Sequence, residues 1–392
     1  MIYDEIIVGS GPCSYAYLMG ITNTERRRLL ITSDVVTLSE KQFVRHPKLC
    51  NEHYSHVELE KTAFPITSSF GGLSNCWGGV LVNGGIIDYL SMFPDAMTDR
   101  TIEFNSMVDK LIDDLQISHV VHKEIDGDRY IYLLDSTQAY GWESSKLSVS
   151  EDIKRLAHKN NVEIMNRVKV DGFIKENSIF KVSLRGHTKQ EVLTKRLVLA
   201  CGVPGNKNLL ERSSVEVSYI NDHTPFQVAC LAREKKVNEL SFATKGTPVK
   251  KVIGTGRKFI SIYDPKEISD LSMKKLAGIA GMVAKRFKFF GYRIYLCQIW
   301  NDDTYSFKNS NPFYRFTSVF KTFVNVTSGV FYPIFFQTTK VGEGFHYQAF
   351  IDKNIEGLVL LGGIGSKALP VYHPTFMYMI NAMDLARNET NQ

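Results

Sequence analysis

Ile6-Ile7-Val8-Gly9-Ser10-Gly11-Pro12-Cys13-Ser14, followed by Leu29-Leu30-Ile31, decides how this chain folds. The leading apolar triplet reads as a short buried strand, Gly9-Ser10-Gly11 as a tight turn, and Cys13 to Met19 as the first turns of a helix. The second apolar run closes a βαβ unit, so the expected fold is α/β with a Rossmann-like dinucleotide-binding domain. Gly9 permits the turn. Gly11 lets backbone N–H groups approach a pyrophosphate, whose charge then sits at the N-terminus of the helix that includes Pro12 and Cys13. Ser14 stands where such loops usually carry a third glycine and is small enough for close helix packing. Ser33 occupies the place of the acidic residue that holds a ribose, and Asp34, directly after it, is the expected ribose partner.

Three further segments extend this unit. Gly71-Gly72-Leu73-Ser74-Asn75-Cys76-Trp77-Gly78-Gly79 holds four glycines in nine residues, a pattern that suits neither a helix nor a strand interior. Leu197 to Ala200, then Cys201-Gly202 and Asn208-Leu209-Leu210, read as a buried parallel strand entering a helix. Near the end, the strand Gly357 to Leu361, a Gly362-Gly363 turn and Tyr372-His373-Pro374-Thr375 lead into Phe376, Met379, Ile380 and Met383. Those four recur at i, i+3, i+4, i+7, so a helix starts at the His-Pro-Thr step, where proline suits the first helical position.

In this order, the four segments resemble the glucose-methanol-choline (GMC) family of FAD-dependent oxidoreductases. The resemblance covers roughly residues 1–35, 70–90, 145–213 and 340–390, and it implies FAD as the cofactor. It implies that Gly9, Gly11, Pro12, Cys13 and Ser14 hold the pyrophosphate. Gly71, Gly72, Ser74, Asn75 and Gly78 would run along the flavin and its pyrophosphate, with Val168 presenting its backbone to the adenine. Cys201 and Gly202 would lie beside the cofactor, and Gly363, Pro374 and Thr375 beside the flavin pyrimidine ring. Cys76, just before Trp77, stands where some relatives carry a histidine joined covalently to the flavin. A thiolate could make such a bond, and a plain buried thiol is the ordinary alternative.

His346 and His373 match the His/His or His/Asn pair that the family places near flavin N5. Alcohol oxidation sends a hydride from a carbinol carbon to N5 while a base removes the hydroxyl proton, work suited to an imidazole of near-neutral pKa. His346 is read as the base and His373 as the residue that orients the hydroxyl, with the reverse assignment open. The helix N-terminus at Pro374-Thr375 would favour the negative charge of reduced flavin. The expected activity is oxidation of a CH–OH group on an alcohol, sugar or glycan, with an unidentified electron acceptor. Two other readings stay open: a flavin-dependent sugar isomerase resembling UDP-galactopyranose mutase, and a flavoprotein that has lost catalysis and serves as a binding protein.

Composition sets the frame. The chain has 392 residues, 44% hydrophobic, enough for two domains. The expected division is an FAD-binding domain from 1–214 and 341–392 and a substrate-binding, mainly antiparallel β-sheet domain from 215–340, with part of 90–145 joining the latter. Aromatic and β-branched runs at Phe259 to Tyr263, Tyr292 to Trp300 and Tyr314 to Phe323 read as strands of that sheet. The formal charge is +6, but Lys and Arg are dispersed apart from Arg26-Arg27-Arg28 and Lys285-Arg286-Phe287-Lys288, so nucleic acid is not an expected partner. Met273, Leu276, Ala277, Ala280, Val283, Ala284 and Phe287 recur at helical spacing among basic residues. This amphipathic stretch packs on the protein's own core or touches a membrane surface.

Six cysteines, at positions 13, 50, 76, 201, 230 and 297, form no CxxC pair, which suits a reducing compartment. The expected location is the cytoplasm, with peripheral contact at the inner face of the membrane as the variant. Asp4 and Glu5 interrupt the place of a secretory apolar segment, so no signal peptide is expected and the mature chain is expected to start at residue 1 or 2. No run is long enough to cross a membrane as a helix. No metal is required; His53 and His56 are read as loop residues.

Overall fold

The structure is a computed structural model that describes residues 2–33, 54–59, 62–67, 69–75, 80–94, 101–115, 124–125, 129–133, 148–185, 189–222, 226–233, 235, 249–255, 258–263, 291–301, 332–338, 347–370 and 374–388. Its centre is a seven-stranded sheet. Six of the strands are β1 (Ile2–Val8), β2 (Arg28–Ile31), β3 (Val162–Met165), β4 (Lys169–Glu176), β5 (Ile179–Arg185) and β6 (Lys189–Leu199), in the spatial order β3-β2-β1-β6-β5-β4. The seventh, Leu358–Leu360, pairs with β6. Pairing is parallel from β3 through β2 and β1 to β6 and on to Leu358–Leu360, whereas β6, β5 and β4 form an antiparallel meander.

The register shows why the deciding stretch is apolar without alternation. Ile6, Ile7 and Val8 lie beside Leu29, Leu30 and Ile31 on one side and Leu197, Val198 and Leu199 on the other. Ile7, Leu30 and Val198 face a core built with the helices α1 (Pro12–Gly20), α2 (Gly85–Met92), α3 (Thr101–Asp114) and α4 (Ser150–Lys159). Ile6, Val8, Leu29, Ile31, Leu197 and Leu199 face a second core, shared with Leu209 and Leu210 of α5 (Gly202–Arg212) and with Phe173 and Phe180. Both faces are covered, so every position must be apolar. Each such Leu or Ile removed from water stabilises the fold by about 1.5–3 kcal/mol.

The last helix, α6 (Thr375–Arg387), packs along α1. Ten of its thirteen residues are buried, and the periodic residues Phe376, Met379, Ile380 and Met383 are all fully enclosed. Its first residue is Thr375, with Pro374 in the N-cap place, one residue later than the sequence pattern suggests. The proline still does the same work, because the helix asks no N–H of it.

One charge inside the sheet is unexpected from its setting. Glu5 is fully buried on β1, where its carboxylate accepts from the Tyr17 hydroxyl at 2.7 Å and from Arg28 Nε at 3.1 Å, with Arg196 Nε 3.4 Å away. Arg28 also donates to the Asn23 carbonyl at 2.5 Å. A buried ion is tolerated only when paired and hydrogen-bonded in this way.

A second, five-stranded antiparallel sheet comprises β7 (Phe226–Arg233), β8 (Val249–Thr255), β9 (Lys258–Tyr263), β10 (Tyr292–Asn301) and β11 (Tyr332–Thr338), in the order β8-β9-β10-β7-β11. The aromatic-rich runs at Phe259 to Tyr263 and Tyr292 to Trp300 are strands β9 and β10, as expected. The Tyr314 to Phe323 run and the basic amphipathic stretch lie outside the described residues. Among the described residues, no helix is long and apolar enough to cross a membrane. His56 sits on the strand Tyr54–Leu59, opposite Pro65 of Thr62–Thr67, and not in a loop. The sequence misleads there because the Tyr54–Leu59 stretch mixes polar and apolar residues on a simple two-stranded ribbon; His53 lies outside the described residues.

Candidate functional site

The site begins where β1 and β6 end side by side. Val8 is in register with Leu199, and the Ala200 N–H donates to the Val8 carbonyl at 2.8 Å. Gly9 then turns with φ +103°, a conformation that side chains rarely adopt, and a Cβ there would stand 2.6 Å from the Ala200 carbonyl oxygen. The loop is braced by its own serines. Ser14 donates to the Gly9 carbonyl at 2.6 Å, and Ser10 shares a hydrogen bond at 3.2 Å with Thr32, at the end of β2. Ser14 is fully buried, so it shapes the loop from behind.

Gly11 is different in kind. Its φ of −92° suits any residue, and among the described residues no atom outside its chain neighbours lies within 4 Å of where a Cβ would be. Neither backbone conformation nor packing among the described residues asks for glycine there. A bare backbone there leaves room for an approach from outside the protein, and Gly11 caps α1 with Pro12 as its first residue. That arrangement fits the pyrophosphate of a dinucleotide.

Two distant segments close on this loop. Gly71 precedes a 3-10 turn, Gly72–Asn75; Gly72 has φ +59°, and a Cβ on it would stand 3.0 Å from Gly11 Cα. The turn is anchored from below, since the buried Ser74 hydroxyl donates to the Gly71 carbonyl at 2.6 Å and accepts from the Val149 N–H at 3.2 Å. Ser150 adds a bond to the Phe70 carbonyl at 2.7 Å. Ser74 therefore positions the glycines, and only the backbone of Asn75 is described. Cys76, Trp77 and Gly78 lie outside the described residues.

The second segment is the 3-10 turn Gly362–Ile364, which follows Leu358–Leu360. A Cβ on Gly362 would lie 3.5 Å from Cys13 Sγ, so this turn reaches the start of α1. A Cβ on Gly363 would overlap the Tyr347 carbonyl oxygen and stand 3.0 Å from the Tyr378 hydroxyl oxygen. Tyr378 belongs to the first turn of α6 and donates its N–H to the Pro374 carbonyl at 3.0 Å. His346 and His373 lie outside the described residues, as does Asp34. The carbonyl of Tyr347, the chain neighbour of His346, and the hydroxyl of Tyr378, one turn into α6 from Pro374, nonetheless meet at Gly363. Thr375, partly buried, starts α6 beside them.

Val168 donates its N–H to the Thr32 carbonyl at 3.3 Å, which puts it at the end of β2 beside Ser33. Cys201 caps α5, and its Sγ lies 3.3 Å from the Val8 carbonyl; Gly202 follows with φ +71°. Cys13 and Cys201 are partly buried, and desolvation pushes their thiols up to about 12. One residue that sequence reasoning passed over is Asn206. It is fully buried, accepts from the Cys201 N–H at 2.9 Å and donates to the Leu199 carbonyl at 3.2 Å, fastening the strand-to-helix turn. An asparagine facing back across one helical turn was the available signal. Among the described residues, no group of three or more His, Cys, Asp or Glu could hold a metal ion.

This fold is similar to that of pyridoxine 4-oxidase from Mesorbium loti, with a TM-score of 0.56 over 100% of this chain and 99% of that one, at 11% sequence identity. Two hydroxylase structures also match, CabE from angucycline biosynthesis and OxyS anhydrotetracycline hydroxylase from Streptomyces rimosus. Their TM-scores are 0.37 and 0.38, at 9% and 12% identity over 99% of this chain, which spans only 63% and 62% of theirs. No family model matches the sequence, and no curated protein sequence does. The fold class is thus α/β, a mixed Rossmann-like sheet with a smaller antiparallel sheet, as in the pyridoxine 4-oxidase structure.

Proposed function

We propose that the protein is an FAD-dependent oxidoreductase of GMC type that oxidises a CH–OH group, with His346 and His373 serving the hydroxyl. The observation that carries this reading is the meeting of three remote segments at the start of α1: Gly11 open to the outside, Gly72 against it, and Gly362 against Cys13. A loop that bound a mononucleotide or a lone phosphate would need no third segment from the chain's end.

When bound, FAD supplies the two-electron acceptor for the hydride. Gly9, Gly11 and the first turn of α1 would hold its pyrophosphate, with Val168 near the adenosine end and Gly71, Gly72 and Gly363 close to the flavin. The first-turn N–H groups of α6 project past the helix end and favour negative charge there. His346 takes the hydroxyl proton and His373 holds the hydroxyl oxygen in line, an arrangement supported by the meeting of Tyr347 and Tyr378 at Gly363. A neutral imidazole is required for that step. The five-stranded sheet within residues 215–340 is assigned to the substrate. Pyridoxine, simple sugars and benzylic alcohols form the first panel, because the fold is shared with a pyridoxine oxidase.

The test is anaerobic mixing of the FAD-loaded protein with that panel. Bleaching by an alcohol, abolished in His346→Ala while FAD stays bound, is the expected result. Reduction by NADH or NADPH with no response to any alcohol would contradict the assignment.

A further inference from the structure

Cys230 on β7 and Cys297 on β10 sit on paired inner strands of the five-stranded sheet. Cys230 is in register with Tyr295, and Val228 with Cys297, so the cysteines are diagonal neighbours on one face. Their sulfurs stand 3.4 Å apart, both side chains are wholly buried, and neither is in a disulfide. Cys230 Sγ also lies 3.4 Å from the Tyr295 carbonyl oxygen, which can accept a hydrogen bond from it.

We propose that Cys230 and Cys297 form a redox-active dithiol, which hydrogen peroxide converts to a disulfide joining β7 to β10. In the first step the sulfur of one cysteine attacks a peroxide oxygen and the O–O bond breaks. Water leaves, and that sulfur becomes a sulfenic acid. In the second step the other sulfur attacks it; the S–S bond forms as the S–O bond breaks, and a second water leaves. Two thiols lose two electrons and two protons in total, and one peroxide becomes two waters. The neighbouring sulfur outcompetes further oxidation because it is already in contact. Burial, and then the contact with Cys297, raises the Cys230 thiol well above its ordinary value, so the reaction is slow. A diagonal pair must draw together to bond, and a bridge closed against the sheet's register is easily reduced. This inference is independent of what the protein oxidises.

The test treats the full-length protein, natively folded, with hydrogen peroxide. It is then denatured in N-ethylmaleimide, digested without reductant and analysed by mass spectrometry. The expected result is a cross-linked peptide pair containing Cys230 and Cys297, lighter by two hydrogens than its parts and released by dithiothreitol. In Cys297→Ser or Cys297→Ala, Cys230 should instead carry added oxygen with no cross-link. Full alkylation of both cysteines after peroxide, or bridging of either one to another cysteine, would overturn the proposal.

Discussion

Gly9 and Gly11 are two residues apart in one loop, yet replacing each by alanine should break different things. At Gly9 the new Cβ meets two costs. The backbone at φ +103° strains any side chain by about 1–3 kcal/mol. The Cβ would also stand 2.6 Å from the Ala200 carbonyl oxygen, which cannot retreat without pulling β6 from β1, an overpacking cost of about 1–3 kcal/mol more. The sum, roughly 2–6 kcal/mol, is a large part of an ordinary domain's 5–15 kcal/mol. At Gly11 the backbone is ordinary and the space is open. Losing glycine at a helix cap costs a few tenths to 1 kcal/mol, and the stiffer unfolded chain returns about 0.4–1, so cofactor-free stability should stay within about 0.5 kcal/mol. The same methyl would occupy the pyrophosphate's place. FAD affinity should fall by about 1–3 kcal/mol, or roughly 5- to 150-fold. Urea unfolding of the cofactor-free variants and FAD titration by flavin fluorescence read the two effects separately. The reasoning is refuted if Gly11→Ala destabilises the free protein as much as Gly9→Ala does, or binds FAD with unchanged affinity.

Glu5→Gln should cost about 3–5 kcal/mol in denaturant unfolding, because Arg28 and Arg196 lose a buried counter-charge, while FAD affinity at the far end of β1 stays the same; a shift below 1 kcal/mol would show the network to be dispensable. Lys195, at 2.9 Å, and the Arg27 N–H hold the Asp4 carboxyl below its ordinary 3.8. Its folded value is depressed, so its contribution is complete above about pH 4 and is lost as pH falls through the lowered value. Asp4→Asn should therefore flatten the acid limb of the stability curve slightly and leave neutral stability little changed; an unchanged acid limb would rule out this linkage. With thiols pushed up to about 12, Cys13 and Cys201 have about one ten-thousandth of their sulfur ionised at pH 8. Iodoacetamide should label both slowly in the native protein, and labelling at the rate of a free thiol would contradict that desolvation.

The βαβ unit was legible because its chemistry is local. Ile6 to Val8, Leu29 to Ile31 and Leu197 to Leu199 are apolar on both faces, and that pattern belongs to a strand covered on both sides. The convergence of Gly72 and Gly362 on the first loop could be read only through resemblance, since nothing within either segment states its distant neighbour. Glu5 carries no local sign of its setting either: it is wholly enclosed because Arg28 and Arg196 arrive from strands on either side. Ser14 and Ser74, which the family resemblance places at the cofactor, have hydroxyls that donate to the Gly9 and Gly71 carbonyls, a bracing that no local pattern announces. Cys230 and Cys297 are 67 residues apart, and only the register of β7 against β10 brings their sulfurs together.

The central claim is that this loop binds FAD. The most direct measurement is the absorbance spectrum of the purified protein, reconstituted with FAD if colourless, taken before and after acid precipitation. A flavin spectrum carried by the protein and released to the supernatant, lost in Gly11→Ala, is the predicted result. Colour retained in the pellet would instead assign a covalent bond, with Cys76 the first residue to replace. A protein that stays colourless after reconstitution would contradict the account.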